Sequence, residues 1–309
     1  MTIGRVLVTG ANGFVGRHAV AALLSRGFEV HTVSRHGATG IVDGTRAHIA
    51  DLLADAGPAA LLEAVRPTHL LHLAWDVSPG RFWHGPENLD WVAASLRLYR
   101  AFAACGGKRV VAAGTCAEYD WNTDLLDEAT TPLRPATLYG TSKDALHRIL
   151  AAAAEQDSIT LAWARLFFMY GPGEASNRLV SDVAQALLQG EPALCGAGTA
   201  ERDFMHVADV GAALAATLDS AHRGAVNIAS GECVPVATVV RMLADLAGRP
   251  DLVRLGARPT PKGEPPRLAA SIGVLREQVR FLPRFSLAEG LADTLGWWDA
   301  TRRAIQSSG

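Results

Sequence analysis

The sequence predicts an α/β fold: a doubly wound parallel sheet with a smaller C-terminal α/β domain. Short apolar runs rich in β-branched residues alternate with longer stretches of helical periodicity, the pattern of a parallel sheet covered by helices on both faces. The 309 residues suffice for one large or two modest domains. The predicted strands contain residues 6–8, 30–33, 70–73, 109–112, 161–164 and 226–228, and the predicted helices span 14–26, 58–65, 88–104, 137–155 and 176–189.

This alternating order loosens after about residue 168. A turn-rich segment covers 171–174, and a stretch rich in proline and glycine runs from Arg249 to Pro266. We therefore expect one domain over 1–167 and a second one mainly over 168–309. Because the run at 226–228 still has the character of a sheet strand, we expect the chain to return to the first domain around 205–230.

The composition excludes several classes of protein. With 49% hydrophobic and 19% charged residues, the chain is neither disordered nor a charged coiled coil. The net charge of -2 gives no general attraction to nucleic acid or to an anionic membrane, and no apolar run approaches the ~18 residues of a membrane span. The four cysteines are widely spaced and the N-terminus lacks a secretory pattern, so we expect reduced thiols in a cytoplasmic protein.

A glycine-rich turn follows the first predicted strand directly, in the order Gly10-Ala-Asn-Gly13-Phe-Val-Gly16. Gly10 suits a tight turn, Gly13 the close approach of a pyrophosphate, and Gly16 the packing of helix against strand. Such a triplet also fits an ordinary turn, but strand, turn and helix coincide here and favour dinucleotide binding by the first domain. The expected cofactor contacts in this part of the chain are Gly10, Asn12, Gly13, Phe14, Val15, Gly16, Ser34, Arg35, Asp51, Leu52, Leu73 and Ala74.

The end of the second predicted strand suggests which dinucleotide binds. An NAD site carries an acidic residue here for the ribose 2′-hydroxyl, whereas this chain has Ser34 and Arg35. Arg35 can pair with a 2′-phosphate, so NADP(H) is favoured, with NAD(H) as the alternative. Asp51 is either an adenine contact or a helix cap.

Three residues form the candidate catalytic group. Tyr139 and Lys143 are four residues apart, so on a helix they share one face, and a nearby cation favours the phenolate. Thr115 ends the strand at 109–114, at the sheet edge where ligands bind in such folds.

Together with the glycine turn, Thr115, Tyr139 and Lys143 resemble the extended short-chain dehydrogenase/reductase family, in particular its nucleotide-sugar epimerases, dehydratases and ketoreductases. The resemblance continues through Arg165, Tyr170-Gly171-Pro172, the stretch from Arg202 to Val210, and Gly296-Trp297-Trp298. It implies a Rossmann-like fold with a C-terminal substrate domain. It further implies that Thr115 binds the substrate oxygen, that Tyr139 is the general acid/base, and that Lys143 binds the nicotinamide ribose and lowers the pKa of Tyr139. Tyr139 and Lys143 are thus also expected cofactor contacts.

Departures from the family pattern bear on the reaction. Dehydratases of the family carry Asp-Glu after the catalytic Thr, where this chain has Cys116 and Ala117; Glu118 is one residue too far along and expected to face away on an extended chain. Ser34-Arg35 counts against an NAD-retaining epimerase. The sequence thus favours NADPH-dependent reduction of a keto group, at C4, on a nucleotide-activated deoxysugar. The alternatives are an NAD-dependent nucleotide-sugar epimerase and a non-catalytic dinucleotide sensor.

The expected substrate is a nucleotide-diphosphate sugar. Candidate contacts, each with packing or surface charge as the alternative, are Trp75, Thr115, Cys116, Phe168, Asn177, Arg178, Arg202 and Arg267. We expect no metal site, because Asp203, His206 and Asp209 fit a strand end that leads into a helix. The helices at 88–104 and 137–155 are apolar beyond one stripe, which together with the resemblance predicts a homodimer.

Overall fold

A seven-stranded parallel sheet forms the centre of the larger part of the structure. The computed structural model describes residues 3–35, 42–54, 57–259 and 263–307. In these ranges the strands are β1 Arg5–Thr9, β2 Glu29–Ser34, β3 Arg46–Ile49, β4 His69–His72, β5 Arg109–Thr115, β6 Leu125–Leu126, β7 Thr160–Leu166, β8 Phe168–Tyr170, β9 Ala193–Leu194, β10 Glu201–His206, β11 Gly224–Ile228, β12 Cys233–Pro235, β13 Val253–Arg254 and β14 Arg267–Ala270. The strand order in the large sheet is β11-β7-β5-β4-β1-β2-β3, and the predicted doubly wound α/β fold is confirmed.

Helices cover both faces of this sheet, which explains the uninterrupted apolar run in β1. The helices of the described ranges are α1 Phe14–Ser25, α2 Gly57–Val65, α3 Glu87–Ala104, α4 Leu138–Gln156, α5 Leu179–Gln189, α6 Val207–Asp219, α7 Val236–Leu246, α8 Gly273–Glu277 and α9 Leu287–Ser307. Val6 and Val8 pack towards one face with α1 and α6, while Leu7 packs towards the other face with α2, α3 and α4. None of these helices is both long and apolar enough to cross a bilayer.

A smaller mixed sheet has the order β12-β10-β14-β6, with β8 paired to β10. Its hydrophobic cluster is built mainly from α5, α7 and α9. The chain passes between the two sheets more than once: β6 lies in the smaller sheet, whereas α6 and β11 return to the larger one, where β11 pairs with β7. Each sheet thus contains strands from before and from after residue 167, so the domain boundary at that residue stays a prediction.

Two elements differ from the sequence prediction for local reasons. β3 was not among the predicted strands, because its sequence Arg-Ala-His-Ile is polar and it lies mostly exposed at the sheet edge beside β2. The helix predicted from residue 176 begins at Leu179, because Asn177 has a left-handed backbone with φ 67°. The carboxylate of Glu174 then accepts the backbone N–H of Ser181 in the first turn of α5.

Gly16 packs against the backbone of the glycine turn, and its substitution tests this contact. A Cβ on Gly16 would overlap the Gly10 carbonyl oxygen and lie 2.7 Å from Ala11 Cα, and backbone atoms cannot rotate away. We expect Gly16→Ala to lower the free energy of unfolding by roughly 1–3 kcal/mol in denaturant titrations.

Gly296→Ala is the matched control, because it also lies inside a helix but a Cβ there meets open space. It should leave stability unchanged or raise it by up to ~1 kcal/mol. Equal effects of the two substitutions would contradict the assigned packing at Gly16.

Candidate active site

The glycine turn lies at the switch point of the large sheet, between β1 and its neighbours β2 and β4. Gly10 has φ 70°, and a Cβ there would lie 2.8 Å from the backbone nitrogen of Ala74. Gly13 is exposed and precedes the first turn of α1, whose backbone N–H groups are free to meet an anion. The predicted contacts Asn12, Phe14 and Val15 surround it, while Leu73 and Ala74 close the turn from the end of β4.

A buried polar network that the sequence analysis missed supports this turn. The Thr9 hydroxyl accepts the backbone N–H groups of Leu73 and Ala74, both at 3.1 Å, and lies 2.7 Å from His72 Nδ1. His72 Nε2 in turn contacts the Ser95 hydroxyl at 2.8 Å. Burial, aided by the charge of Lys143, lowers the pKa of His72 to about 3, so the ring is neutral. A histidine inside the apolar strand sequence Leu-Leu-His-Leu was the available signal.

The side chains predicted to face the adenosine half of a dinucleotide lie at neighbouring strand ends. Ser34 ends β2 and Arg35 follows it with an exposed side chain. Asp51 closes a turn by accepting the Leu53 backbone N–H at 3.0 Å, and Leu52 is buried beside it. The pKa of Asp76, after β4, is lowered mainly by hydrogen bonding to Ser78, with smaller effects from other groups that include Arg35.

The structure brings Thr115, Tyr139 and Lys143 together where β5 ends and α4 begins. The hydroxyl of Thr137 caps α4 by accepting the Gly140 backbone N–H, which sets both functional residues in the first turns of the helix. Lys143 Nζ donates to the carbonyl of Ala113 in β5 at 2.8 Å, so the helix is docked on the strand through its ammonium group.

The pKa values of Tyr139 and Lys143 differ from those expected for a tyrosine beside a charged lysine. Burial raises the pKa of Tyr139 above its ordinary value, while a hydrogen bond with Thr115 and the charge of Arg178 oppose that effect. Burial also lowers the pKa of Lys143 to about 7. The Lys143 ammonium contacts the Ala113 carbonyl and the face of the Trp75 ring. Because burial raises the pKa of Tyr139, its phenol is neutral in this structure and can donate a proton.

Aromatic rings enclose the Tyr139 phenol. Trp75, Phe82 and Trp83 contact its ring edge-on, with centroid distances of 6.4, 5.0 and 5.8 Å. The backbone N–H of Tyr139 also donates to the Trp83 carbonyl at 3.1 Å, so the segment between β4 and α3 is tied directly to α4. Tyr139 is consequently only 8% exposed.

Glu118 faces away from the phenol, as expected, but for a different reason. Residues 116–118 form a 3-10 turn and not an extended chain, and the Glu118 carboxylate folds back to accept the Thr115 backbone N–H at 2.8 Å. It also accepts from Trp163 Nε1 at 3.0 Å and Arg165 Nε at 2.7 Å and is fully buried. With these hydrogen bonds, the Glu118 carboxylate has a structural role.

The candidate substrate residues divide into two groups. Near Thr115, Cys116 is buried, which raises its pKa to about 12, and Arg202 is close enough to oppose that rise. Arg202 lies over the Phe168 ring at 5.4 Å and pairs with Glu264 at 2.8 Å. Arg178 donates to the Val77 carbonyl at 3.2 Å and lies 5.7 Å from the Phe82 ring.

The remaining candidates have other partners. Arg267 pairs with Glu201 on the smaller sheet, and the backbone N–H of Asn177 donates to Asp182. The trio of Asp203, His206 and Asp209 is also divided: Asp203 accepts from Ser230 and Gly231, Asp209 accepts from Arg284 and Phe285, and His206 packs on the Phe285 ring. Across the described ranges, no group of three or more His, Cys, Asp or Glu side chains is placed to hold a metal ion.

Comparison with known proteins is consistent with this geometry. Residues 6–229 match the model of the NAD dependent epimerase/dehydratase family. A UDP-glucose 4-epimerase from Azospirillum brasilense is 28% identical over 335 residues, covering 99% of this chain and 95% of the relative. A dTDP-6-deoxy-L-talose 4-dehydrogenase (NAD(+)) from Aggregatibacter actinomycetemcomitans is 25% identical over 239 residues, 76% of this chain and 87% of the relative.

A solved structure of MoeE5 in complex with UDP-glucuronic acid and NAD is 32% identical, with a TM-score of 0.83, and the match covers 97% of this chain and 100% of that one. These matches confirm the resemblance to the nucleotide-sugar group that the sequence motifs indicated. The chain therefore belongs to the NAD dependent epimerase/dehydratase family.

Proposed function

We propose that this protein is a nucleotide-sugar 4-epimerase that retains NAD and acts on a UDP-sugar. The observation that carries the proposal is the enclosed Tyr139 phenol hydrogen-bonded with Thr115 at the sheet edge, beside the glycine turn. Epimerisation at C4 needs one proton-transfer group and a reversible hydride acceptor. A dehydratase needs a further acid and base, and the carboxylate that comes nearest in sequence, Glu118, is committed to Arg165 and Trp163.

The residues around the glycine turn fit a nicotinamide dinucleotide. The conformation of Gly10 and the exposed Gly13 leave backbone N–H groups at the start of α1 accessible to a pyrophosphate. Bound NAD supplies the hydride acceptor. In the oxidation step Tyr139 would act as the phenolate, which forms when the phenol first releases its own proton to solvent. Its Oη would then take the proton of the sugar C4 hydroxyl and give it back when the hydride returns, Thr115 would hold the same oxygen, and Lys143 would hold the nicotinamide ribose. The hydrogen bond with Thr115 and the positive charge of Arg178 favour the phenolate and oppose the effect of burial.

The cofactor in this proposal is NAD, and the sequence-based preference for NADP(H) is not supported by the relatives. MoeE5 binds NAD together with UDP-glucuronic acid, and the dTDP-sugar dehydrogenase is named for NAD(+). Arg35 has an exposed side chain, and its charge is the smallest of the effects that lower the pKa of Asp76.

A second candidate function is the reduction of a keto group at C4 of a nucleotide-activated deoxysugar, or the reverse oxidation of the C4 hydroxyl. It is favoured by Arg35, by the absence of an acidic residue at the end of β2, and by the similarity to a dTDP-6-deoxysugar 4-dehydrogenase. The same tyrosine would act as the proton donor. A purely dinucleotide-sensing role is less consistent with the chain, because such a protein does not need the enclosed pair of Tyr139 and Thr115.

We further propose that the active protein is a homodimer that associates through α3 and α4. Leu89 on α3 is 58% exposed and Ile149 on α4 is 47% exposed, which leaves apolar side chains uncovered on both helices. A cytoplasmic location stays a prediction that rests on the spacing of the cysteines.

The fate of the hydrogen at C4 separates the two candidate functions. We expect a UDP-hexose deuterated at C4 to be converted to its C4 epimer with the deuterium retained, because the hydride removed from the sugar returns to it. The products are followed by NMR, and NADH absorbance should show no net change. Stoichiometric consumption of NADH or NADPH with a 4-keto sugar, and no isomerisation, would contradict the epimerase proposal and support the second candidate.

The role of the phenol is tested by Tyr139→Phe. We expect kcat to fall by a factor of about 10²–10⁴, since a positioned acid/base group is lost, while the Kd for NADH stays near the wild-type value. Tyr99→Phe is the matched control, because Tyr99 is also a buried tyrosine but its hydroxyl donates to Asp157, which follows α4. Its kcat should be unchanged. Retention of more than about a tenth of wild-type kcat in Tyr139→Phe would contradict the assignment.

Cofactor choice is tested by titrating wild-type protein and Arg35→Ala with NADH and NADPH. In the proposed NAD enzyme, the wild-type Kd for NADH is equal to or lower than that for NADPH. Arg35→Ala should weaken NADPH binding alone, because only NADPH has a 2′-phosphate. A wild-type protein that binds NADPH tenfold more tightly, about 1.4 kcal/mol, would contradict the choice of NAD.

A further inference from the structure

The Lys143 ammonium lies directly over an aromatic ring. Its Nζ is 3.7 Å from the centroid of the Trp75 ring, and Lys143 as a whole is only 4% exposed. The Ala113 carbonyl accepts one of its three N–H groups. A cation held this close to an indole face and shielded from water gains substantial electrostatic stabilisation from the ring.

A hydrogen bond to Asn88 holds the Trp75 side chain in place. Its Nε1 donates to Asn88 Oδ1 at 2.9 Å, and Asn88 is 3% exposed. Asn88 Nδ2 donates to the carbonyls of Phe82 and Gly85, at 2.7 and 2.8 Å. One amide on the first turn of α3 therefore fixes both the indole and the segment that covers Tyr139.

Other charged groups near Lys143 do not replace the indole. Glu118, from the 3-10 turn, favours the ammonium form but pairs directly with Arg165. His72, from β4, is neutral between Thr9 and Ser95, and Tyr139 on the same helix is a neutral phenol. The Trp75 ring and the Ala113 carbonyl are therefore the groups in direct contact with Nζ that favour the charged lysine, and of the two only the ring is a side chain that substitution can remove.

We propose that Trp75 is a positioning residue of the active site, which favours the protonated form of the buried Lys143 side chain and holds it beside β5, while Asn88 fixes the indole. This inference rests on the proposed function, in which Lys143 binds the nicotinamide ribose. It gives Trp75 a role different from the substrate contact that the sequence suggested. Because burial lowers the pKa of Lys143 to about 7, the lysine titrates close to physiological pH, and loss of the indole would shift it further towards the neutral form.

The chain has three lysines, Lys108, Lys143 and Lys262, which allows a direct measurement. In protein labelled with ¹³C at lysine Cε, the Lys143 signal is assigned as the one missing from Lys143→Met, and its chemical shift is followed against pH. We expect Trp75→Leu to lower the Lys143 pKa by roughly half a unit or more, and Trp75→Phe, which retains a ring face, to lower it less. The alkaline limb of NADH binding should move to lower pH by the same amount.

Trp91→Leu is the matched control, because Trp91 stacks on Trp75 at 6.2 Å, whereas the ring that contacts Lys143 is that of Trp75. It should leave the Lys143 titration within about 0.2 unit of wild type. An unchanged Lys143 pKa in Trp75→Leu, or an equal shift in Trp91→Leu, would overturn the proposal. If Trp75→Leu does not fold, Trp75→Phe and Asn88→Ala provide the same comparison, and a wild-type titration in both would overturn the proposal.

The lysine titration needs no sugar substrate and no turnover. Failure of the proposed epimerase function would appear as absent isomerisation with the Lys143 shift intact. Failure of the present inference would appear as normal isomerisation with no shift.

Discussion

The buried ion pair between Glu118 and Arg165 is the interaction on which the geometry of the site depends. Glu118 is 0% and Arg165 1% exposed, and breaking such a pair leaves an uncompensated charge that typically costs 3–5 kcal/mol. Arg165 also donates to the Tyr119 hydroxyl, which donates to Asn227 in β11. The pair therefore joins the ends of β5, β7 and β11.

This network reaches both sheets and the candidate catalytic residues. Asn227 donates to the carbonyls of Leu126 and Ser271, which belong to or border the smaller sheet. At its other end, Glu118 accepts the backbone N–H of Thr115 and so fixes the residue that faces the phenol. A charged group that resembles a catalytic acid in the sequence thus acts as the structural support beneath the site.

The fold was predictable from the sequence where local chemistry is strong. The glycine turn, the apolar strands buried on both faces and the helical spacing of Tyr139 and Lys143 are all local patterns, and the structure contains each of them. β3 escaped prediction because an exposed edge strand carries no apolar signal, and the support of the turn by Thr9 and His72 escaped because it joins strands more than sixty residues apart.

By itself, the sequence determined the α/β class and the position of the glycine turn, because each depends on a local pattern, and it brought Tyr139 and Lys143 onto one face of a helix as candidate residues. Only the tertiary structure decided what surrounds them. Trp75 lies over Lys143, Arg202 pairs with Glu264, and Glu118 is directed into the core. These contacts join segments distant in the chain, and burial then sets the charge of each group. The physical reason is that desolvation and long-range pairing, which no local pattern encodes, control the ionisation of Tyr139 and Lys143.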